Sequence, residues 1–148
     1  MKHKKKIILS SILFGVIVIM LLLNLFYVPY IFEKISNDYQ TDKEVIKVYE
    51  TCLNSEIKAI CVYENIDFVW EKAPRTIKNT FLSPTKMVEQ DGHGLCRDIV
   101  VFRKAVFDKL EVFSQFVFEE KHVYINVFEG GKIYELDNGY IGVKNGTT

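Results

Sequence analysis

One cysteine, one histidine and one aspartate occur in an order and in local settings that suit covalent catalysis. Cys96 follows the glycine-rich stretch "QDGHG" and opens a segment whose apolar positions recur at helical spacing. The free N–H groups and the dipole at a helix start favour a thiolate. A thiolate nucleophile needs a base, and the base needs a group that orients it. His122 and Asp137 are the candidates for these two roles.

The positions of His122 and Asp137 relative to each other follow from a predicted β-hairpin. The segments "HVYINVFE" and "KIYELD" are rich in β-branched and aromatic residues, and Gly130-Gly131 separates them as a two-residue turn would. In this register Tyr124 lies opposite Asp137, and His122 shares its face as a diagonal neighbour, with Cβ atoms roughly 7 Å apart. The carboxylate can then hold one ring nitrogen while the other meets the thiol. A bulge in the turn would break this register.

The motifs "GHGLCRD" and "HVYINVFEGGKIYELDN" resemble those of the transglutaminase-like superfamily. Its members have a glycine-rich loop, a Cys that opens a helix, a His that begins a strand and an Asp that ends the next strand. Cys96, His122 and Asp137 match that order, and an Asp at the position of Asp98 recurs in many bacterial members. Tyr124 stands where many members have Trp. The resemblance implies a papain-like fold and a Cys-His-Asp triad that acts on the amide bond of a peptide or protein.

A fourth group has to stabilise the oxyanion that forms during attack on a carbonyl. The backbone N–H of Cys96 is one candidate because it faces out of a helix start. Gln90 is another, since papain-like enzymes place a Gln at this offset from the Cys, although it equally suits the start of a polar loop.

His93 and Cys96 could both bind a metal, but without further closely spaced ligands they do not form a typical zinc site. We therefore expect neither a metal nor a cofactor.

The N-terminal region predicts a single-pass membrane anchor. Residues 7–32 contain no charged side chain, and as a helix of ~1.5 Å per residue they exceed the ~30 Å hydrocarbon thickness of a bilayer. The lysine-rich tail 1–6 should stay in the cytoplasm, which puts the rest of the chain outside the cell membrane. A cleaved signal peptide would open in the same way. The apolar run is longer than a ~7–15-residue signal core, however, and no small-x-small cleavage site follows it.

The remaining chain predicts a linker, 33–41, and one α+β domain, 42–148. Helical periodicity and capping residues indicate helices near the start of the domain and after Cys96, and strand-like composition follows them. Residues 64–90 are expected to be irregular with a helical turn or two, and "IDFVW" within them could be a short strand. The predicted elements are helices over Asp42–Leu53, Ser55–Tyr63 and Cys96–Leu110, then an antiparallel sheet that includes a short last strand from Tyr140 to Val143.

Charge and cysteine content narrow the function further. All 19 acidic residues follow residue 32, while four of the 19 lysines and arginines precede it, so residues 33–148 have a net charge of −4. This region therefore lacks the basic surface of a nucleic-acid-binding domain.

On one unbroken helix Cys52 and Cys61 would be roughly 13 Å apart, beyond disulfide reach. We interpret them as two buried thiols, and a bridge stays open if the helix breaks between them. Arg103 and Lys104 are expected on a solvated helix face.

Three functions are compatible with these patterns. The first is a membrane-anchored cysteine hydrolase or acyltransferase with Cys96 as nucleophile. The second is a catalytically silent module of the same fold that binds a partner at the membrane. The third is a thiol redox role that pairs Cys96 with Cys52 or Cys61, although no CxxC pattern supports it.

Overall fold

The chain folds as an α+β protein with an antiparallel sheet, as the sequence predicts. The computed structural model describes residues 2–66, 69–70, 81–120 and 122–146, and among these the side chains other than those of 2–10, 24 and 70. In chain order the elements are α1 (Lys2–Tyr39), α2 (Lys43–Cys52), α3 (Lys58–Asn65), β1 (Val69–Trp70), α4 (Pro84–Glu89), β2 (His93–Gly94), α5 (Cys96–Lys109), β3 (Ser114–Phe118), β4 (Val123–Glu129), β5 (Lys132–Asp137) and β6 (Tyr140–Asn145).

Helix α1 includes the predicted anchor. Its part from Ser11 to Tyr39 is long and apolar enough to cross a membrane, judged by length and composition. The chain divides into two compact units, Met1–Lys34 and Ile35–Thr148. The segment predicted as a linker is helical through Tyr39. Within the second unit, Ser36 is fully buried and its hydroxyl donates a hydrogen bond to Asp108 at 3.2 Å, so this turn of α1 packs against α5.

The start of α3 differs from the sequence prediction because a distant residue fixes it. The helix begins at Lys58, three residues after the predicted start at Ser55. The carboxylate of Glu129, at the end of β4, accepts the backbone N–H groups of Lys58 and Ala59, each at 3.0 Å. An acidic side chain at this position satisfies the free donors of the first turn and complements the helix dipole.

A disulfide joins Cys52 to Cys61, which corrects the interpretation of two separate buried thiols. The chain leaves its helical path between α2 and α3, so the two Cα atoms approach to 5.7 Å. This distance lies in the normal range for a bridge, whereas an unbroken helix would have held them too far apart. Cys96 is the free cysteine.

Removing this bridge should destabilise the domain. Alanine at both Cys52 and Cys61 is expected to lower the free energy of unfolding by about 2–3 kcal/mol, because a cross-link over a loop of ~10 residues restricts the unfolded chain. Denaturant titration of the full chain in detergent micelles, followed by tryptophan fluorescence, measures the change. The wild-type protein kept under reducing conditions should lose the same amount. Equal unfolding midpoints with and without reductant would contradict this prediction.

The sheet has the predicted register. Strands β3, β4, β5 and β6 follow one another in an antiparallel meander, and the β4–β5 ladder pairs Glu129 with Lys132 and Ile125 with Leu136. Gly130 and Gly131 form the turn with φ of 59° and 72°, a left-handed conformation that glycine adopts without strain. The ladder continues without a bulge, so the side-chain faces deduced for this hairpin are confirmed.

Helix α5 is the centre of the second unit. It packs against β3 and β4 on one side and against α2, α3 and α4 on the others. Strand β4 presents Val123, Ile125 and Val127 as buried residues at alternate positions. The predicted solvated face of α5 is wrong, because Arg103 is 2% and Lys104 6% exposed. Neighbouring elements surround the helix, so no side of its middle turns is left to the solvent.

Candidate active site

The first turn of α5 is fixed by a buried carboxylate. Leu95 is the N-cap residue and Cys96 is the first helical residue. Asp98 is fully buried and accepts the backbone N–H of Leu95 at 2.8 Å through one carboxylate oxygen and that of Leu82 at 3.0 Å through the other. Its negative charge lies beside the positive end of the helix dipole. Asp98 therefore holds in place the turn from which the partly exposed Cys96 thiol projects.

The glycine-rich loop before Cys96 is tied to the rest of the domain through its backbone. Strand β2 pairs in parallel with β1, which places Val69 beside His93, and the N–H of Val69 donates to the carbonyl of Gly92 at 2.8 Å. Gly92 has a φ of 79°. A Cβ on Gly94 would lie 3.5 Å from both the Asp98 carboxylate and the Met87 sulfur, so a small residue suits this position. The sequence suggested a short strand over "IDFVW", and β1 covers its last two residues, but its pairing with the loop before Cys96 was not predicted.

The structure brings His122 and Asp137 together as the hairpin register predicts. The Nε2 atom of His122 lies 2.6 Å from Oδ1 of Asp137, and the two side chains are 29% and 30% exposed. With an ionised Asp137, Nε2 carries the hydrogen of this bond, and Nδ1 is left with its lone pair. The Tyr124 ring stacks near His122, with centroids 6.2 Å apart. This pair has the geometry of an oriented general base.

Asp137 is also held by groups other than His122. Its carboxylate accepts the backbone N–H of Asn138. Its main-chain carbonyl accepts a hydrogen bond from Nη1 of Arg103 at 3.0 Å. The second bond connects the end of β5 to the middle of α5. Sequence reasoning missed Arg103, since its burial is a tertiary property; the one available signal was its place about two helical turns after Cys96, on the same side of α5.

Arg103 is a buried cation with few partners. Its guanidinium carbon lies 4.9 Å from the centroid of the Tyr63 ring. Burial lowers the pKa of Arg103 to about 10, while Tyr63 and Asp137 favour its charged form. The group is therefore a cation at neutral pH. Among the described residues it forms no ion pair, and its Nε is buried without a hydrogen-bond partner.

Cys96 lies at the start of α5, on a different element from the hydrogen-bonded pair. Among the described residues, no hydrogen bond joins its Sγ to the ring of His122. Helix α5 runs through the short connection 110–113 into β3, and β3 is antiparallel to β4. The start of α5, the start of β4 and the end of β5 consequently lie toward the same end of the packed helix and sheet. The bond from Arg103 to Asp137 agrees with this arrangement, because helical side chains lean toward the N-terminus.

Gln90 and His93 lie in the loop region, and no interaction with another described residue assigns either side chain a role. Gln90 is the exposed C-cap of α4, and its backbone carbonyl accepts the N–H of His93 at 3.0 Å. The oxyanion role of Gln90 stays a prediction. In the part of the chain that the structure describes, no three His, Cys, Asp or Glu side chains are grouped as metal ligands would be.

Comparison of the chain with known proteins gives no match to a protein-family model, to a curated protein or to a solved structure. The fold and the site define an α+β protein with one helix suited to a membrane, an oriented His-Asp pair and a free cysteine at a helix start. The resemblance to the transglutaminase-like superfamily stays at the level of the motifs around Cys96, His122 and Asp137.

Proposed function

We propose that the protein is a membrane-anchored cysteine hydrolase or acyltransferase of transglutaminase-like type, built on a papain-like core and acting on an amide bond. The observation that carries the proposal is the hydrogen bond between His122 and Asp137, which leaves Nδ1 as an available base. The end of this hairpin is linked through Arg103 to the helix that begins with Cys96. Catalytic hydrogen bonds are often long in a ligand-free enzyme and shorten when the substrate binds.

The proposed reaction is acyl transfer through a thioester. Nδ1 of His122 takes the thiol proton while Sγ of Cys96 attacks the amide carbonyl, and Asp137 accepts the Nε2–H bond of the imidazolium. The tetrahedral oxyanion collapses with cleavage of the C–N bond, and the amine leaves with the proton that His122 returns. Water or a second amine then attacks the thioester, with His122 again as base, and restores the thiol.

Two donors are proposed for the oxyanion, one at the start of α5 and one at the end of α4. The backbone N–H of Cys96 belongs to the first turn, where N–H groups have no partner within the helix, so it is available to a developing negative charge. The side chain of Gln90 is the second proposed donor. It is exposed at the end of α4 and two residues before Gly92 in the same loop.

The proposed location is the outer side of a cell membrane, with α1 as a single-pass anchor. The Cys52–Cys61 disulfide supports this location, because such bridges persist in oxidising compartments outside the cytoplasm. The lysine-rich segment before the apolar run supports the same orientation. Since the bridge occupies both other cysteines, it also removes the partners that a redox role for Cys96 would need.

Alkylation kinetics test the proposed thiolate. Full-length protein in detergent micelles is treated with iodoacetamide between about pH 5 and pH 10, the range in which thiols ionise. The labelled site is then identified by mass spectrometry. Cys96 should react at pH 6 at least ~10-fold faster in the folded protein than in urea with the disulfide intact. Cys96→Ser should abolish labelling. Equal rates in the folded and unfolded protein would refute an activated nucleophile.

The absence of a Cys96–His122 hydrogen bond keeps the silent binding module as a second candidate. A peptidyl ketone electrophile separates the two functions, because its capture requires both a nucleophile and a site for the acyl group. A covalent adduct on Cys96 that needs His122 supports the enzyme. If iodoacetamide reacts but no peptidyl electrophile does, and Cys96→Ser leaves the cellular phenotype intact, the binding module is the better description.

A further inference from the structure

We infer that Arg103 is a positioning residue for the proposed triad: it holds Asp137, and through it His122, in register with the helix that carries Cys96. The inference rests on the proposed function and deepens it. It concerns a side chain that, among the described residues, is hydrogen-bonded to neither the thiol nor the imidazole. Its starting point is the hydrogen bond from Nη1 of Arg103 to the main-chain carbonyl of Asp137.

The burial of Arg103 is the first part of the argument. Arg103 is 2% exposed and stands among the largest fully buried side chains of the protein. A buried cation is expensive, and a hydrophobic side chain of similar volume is often neutral or better for stability. Arg103 also lacks an ion pair among the described residues and leaves its Nε without a partner. Stability alone therefore explains the arginine poorly.

The position of Arg103 between three elements is the second part. On α5 it lies about two turns after Cys96, and its side chain leans toward the start of the helix. Its guanidinium meets the ring of Tyr63 on α3 and the carbonyl at the end of β5. The group thus couples the nucleophile helix to the residue whose carboxylate holds His122.

The choice of acceptor is the third part. Arg103 binds the main-chain oxygen of Asp137, while the carboxylate of the same residue accepts the His122 bond. The backbone is therefore fixed from one side and the carboxylate is left to orient the imidazole. A planar guanidinium is a rigid donor, whereas a lysine at the same place would be a single flexible point of charge.

The test compares Arg103→Met and Arg103→Lys with wild type in the full chain. The readouts are the pH profile of Cys96 alkylation and the ¹⁵N and ¹H signals of the His122 ring. Methionine should lower the alkylation rate at pH 6–7 on the order of ten- to hundredfold, the scale expected of a small misplacement. The rate at pH ~10, where a thiol ionises unaided, should stay unchanged. Lysine should restore part of the loss, and the Nε2–H signal should weaken in the methionine variant.

A double-mutant cycle keeps the inference testable if the methionine variant does not fold. Asp137→Ala retains the carbonyl that Arg103 binds but removes the carboxylate to be positioned. In the Asp137→Ala background, Arg103→Lys should therefore have no further effect on the rate at pH 6–7. Additive effects would overturn the inference. An unperturbed His122 signal and alkylation profile in a folded Arg103 variant would overturn it as well.

The same measurements separate this inference from the proposed function. If wild-type Cys96 shows the pH profile of an ordinary unfolded thiol, the enzyme proposal fails, and the positioning role fails with it. If wild-type Cys96 is activated but its profile does not depend on Arg103, only the positioning role fails. Arg103 would then be a structural cross-link among α3, α5 and β5.

Discussion

Replacing His122 with alanine should lower the reaction rate of Cys96 with a peptidyl electrophile at neutral pH by roughly 10²–10⁴-fold, the contribution typical of a general base. The imidazole is oriented by its 2.6 Å contact with Asp137, and His93, the other histidine whose side chain the structure describes, has no such partner. Stopped-flow or quenched mass-spectrometric assays of adduct formation on the full chain in micelles measure the rate. Far-ultraviolet circular dichroism and the unfolding midpoint check that the variant is folded.

Two variants serve as controls for the His122 result. His93→Ala changes an exposed histidine in the loop before Cys96, and it should leave the rate within about threefold of wild type if only His122 is the base. Asp137→Asn keeps the shape of the side chain but favours the wrong ring tautomer, so it should reduce the rate strongly. A large loss from His93→Ala together with an unchanged His122→Ala would reverse the assignment of the base.

Replacing Asp98 with alanine should destabilise the domain by about 3–5 kcal/mol, the usual range for removing one partner of a buried charged interaction. The fully buried carboxylate accepts the backbone N–H groups of Leu82 and Leu95, and alanine leaves both donors without that acceptor. Each unsatisfied buried group costs about 1–3 kcal/mol. Denaturant unfolding of the full chain, with the disulfide intact, gives the free-energy change.

The matched control for Asp98 is Glu89→Ala, which removes the same charge from an exposed position at the end of α4. It should change stability by less than about 0.5 kcal/mol, as surface substitutions usually do. Asp98→Asn should be intermediate, since an amide offers one acceptor oxygen where the carboxylate offers two. The prediction is wrong if Asp98→Ala and Glu89→Ala unfold at the same denaturant concentration.

Local patterns predicted the elements that depend on nearby residues. The hairpin register followed from Gly130-Gly131, because two left-handed residues between β-rich segments leave few alternative pairings. Helix α5 followed from apolar periodicity and ends one residue before the predicted Leu110. The contact between His122 and Asp137 required only that register, so two residues 15 positions apart in one hairpin could be paired correctly.

Features that depend on contacts between distant segments were not predictable in this way. The start of α3 is set by Glu129, which lies on β4. The disulfide depends on how far the chain turns between α2 and α3. Arg103 and Lys104 have the composition of a surface, and only the elements packed around α5 make them buried. Lysine and arginine are mostly exposed in proteins, so composition alone favours the wrong answer here.

The bridge between Cys52 and Cys61 also determines which disulfides remain possible for Cys96. An environment that oxidises thiols could also join Cys96 to Cys52 or Cys61, and such a bridge would block the Cys96 thiol. The nearest pair in sequence closes the smallest ring, which favours it by roughly 1 kcal/mol of chain entropy over a ring about four times longer. The Cys52–Cys61 bridge therefore leaves Cys96 with no other thiol of the same chain to pair with.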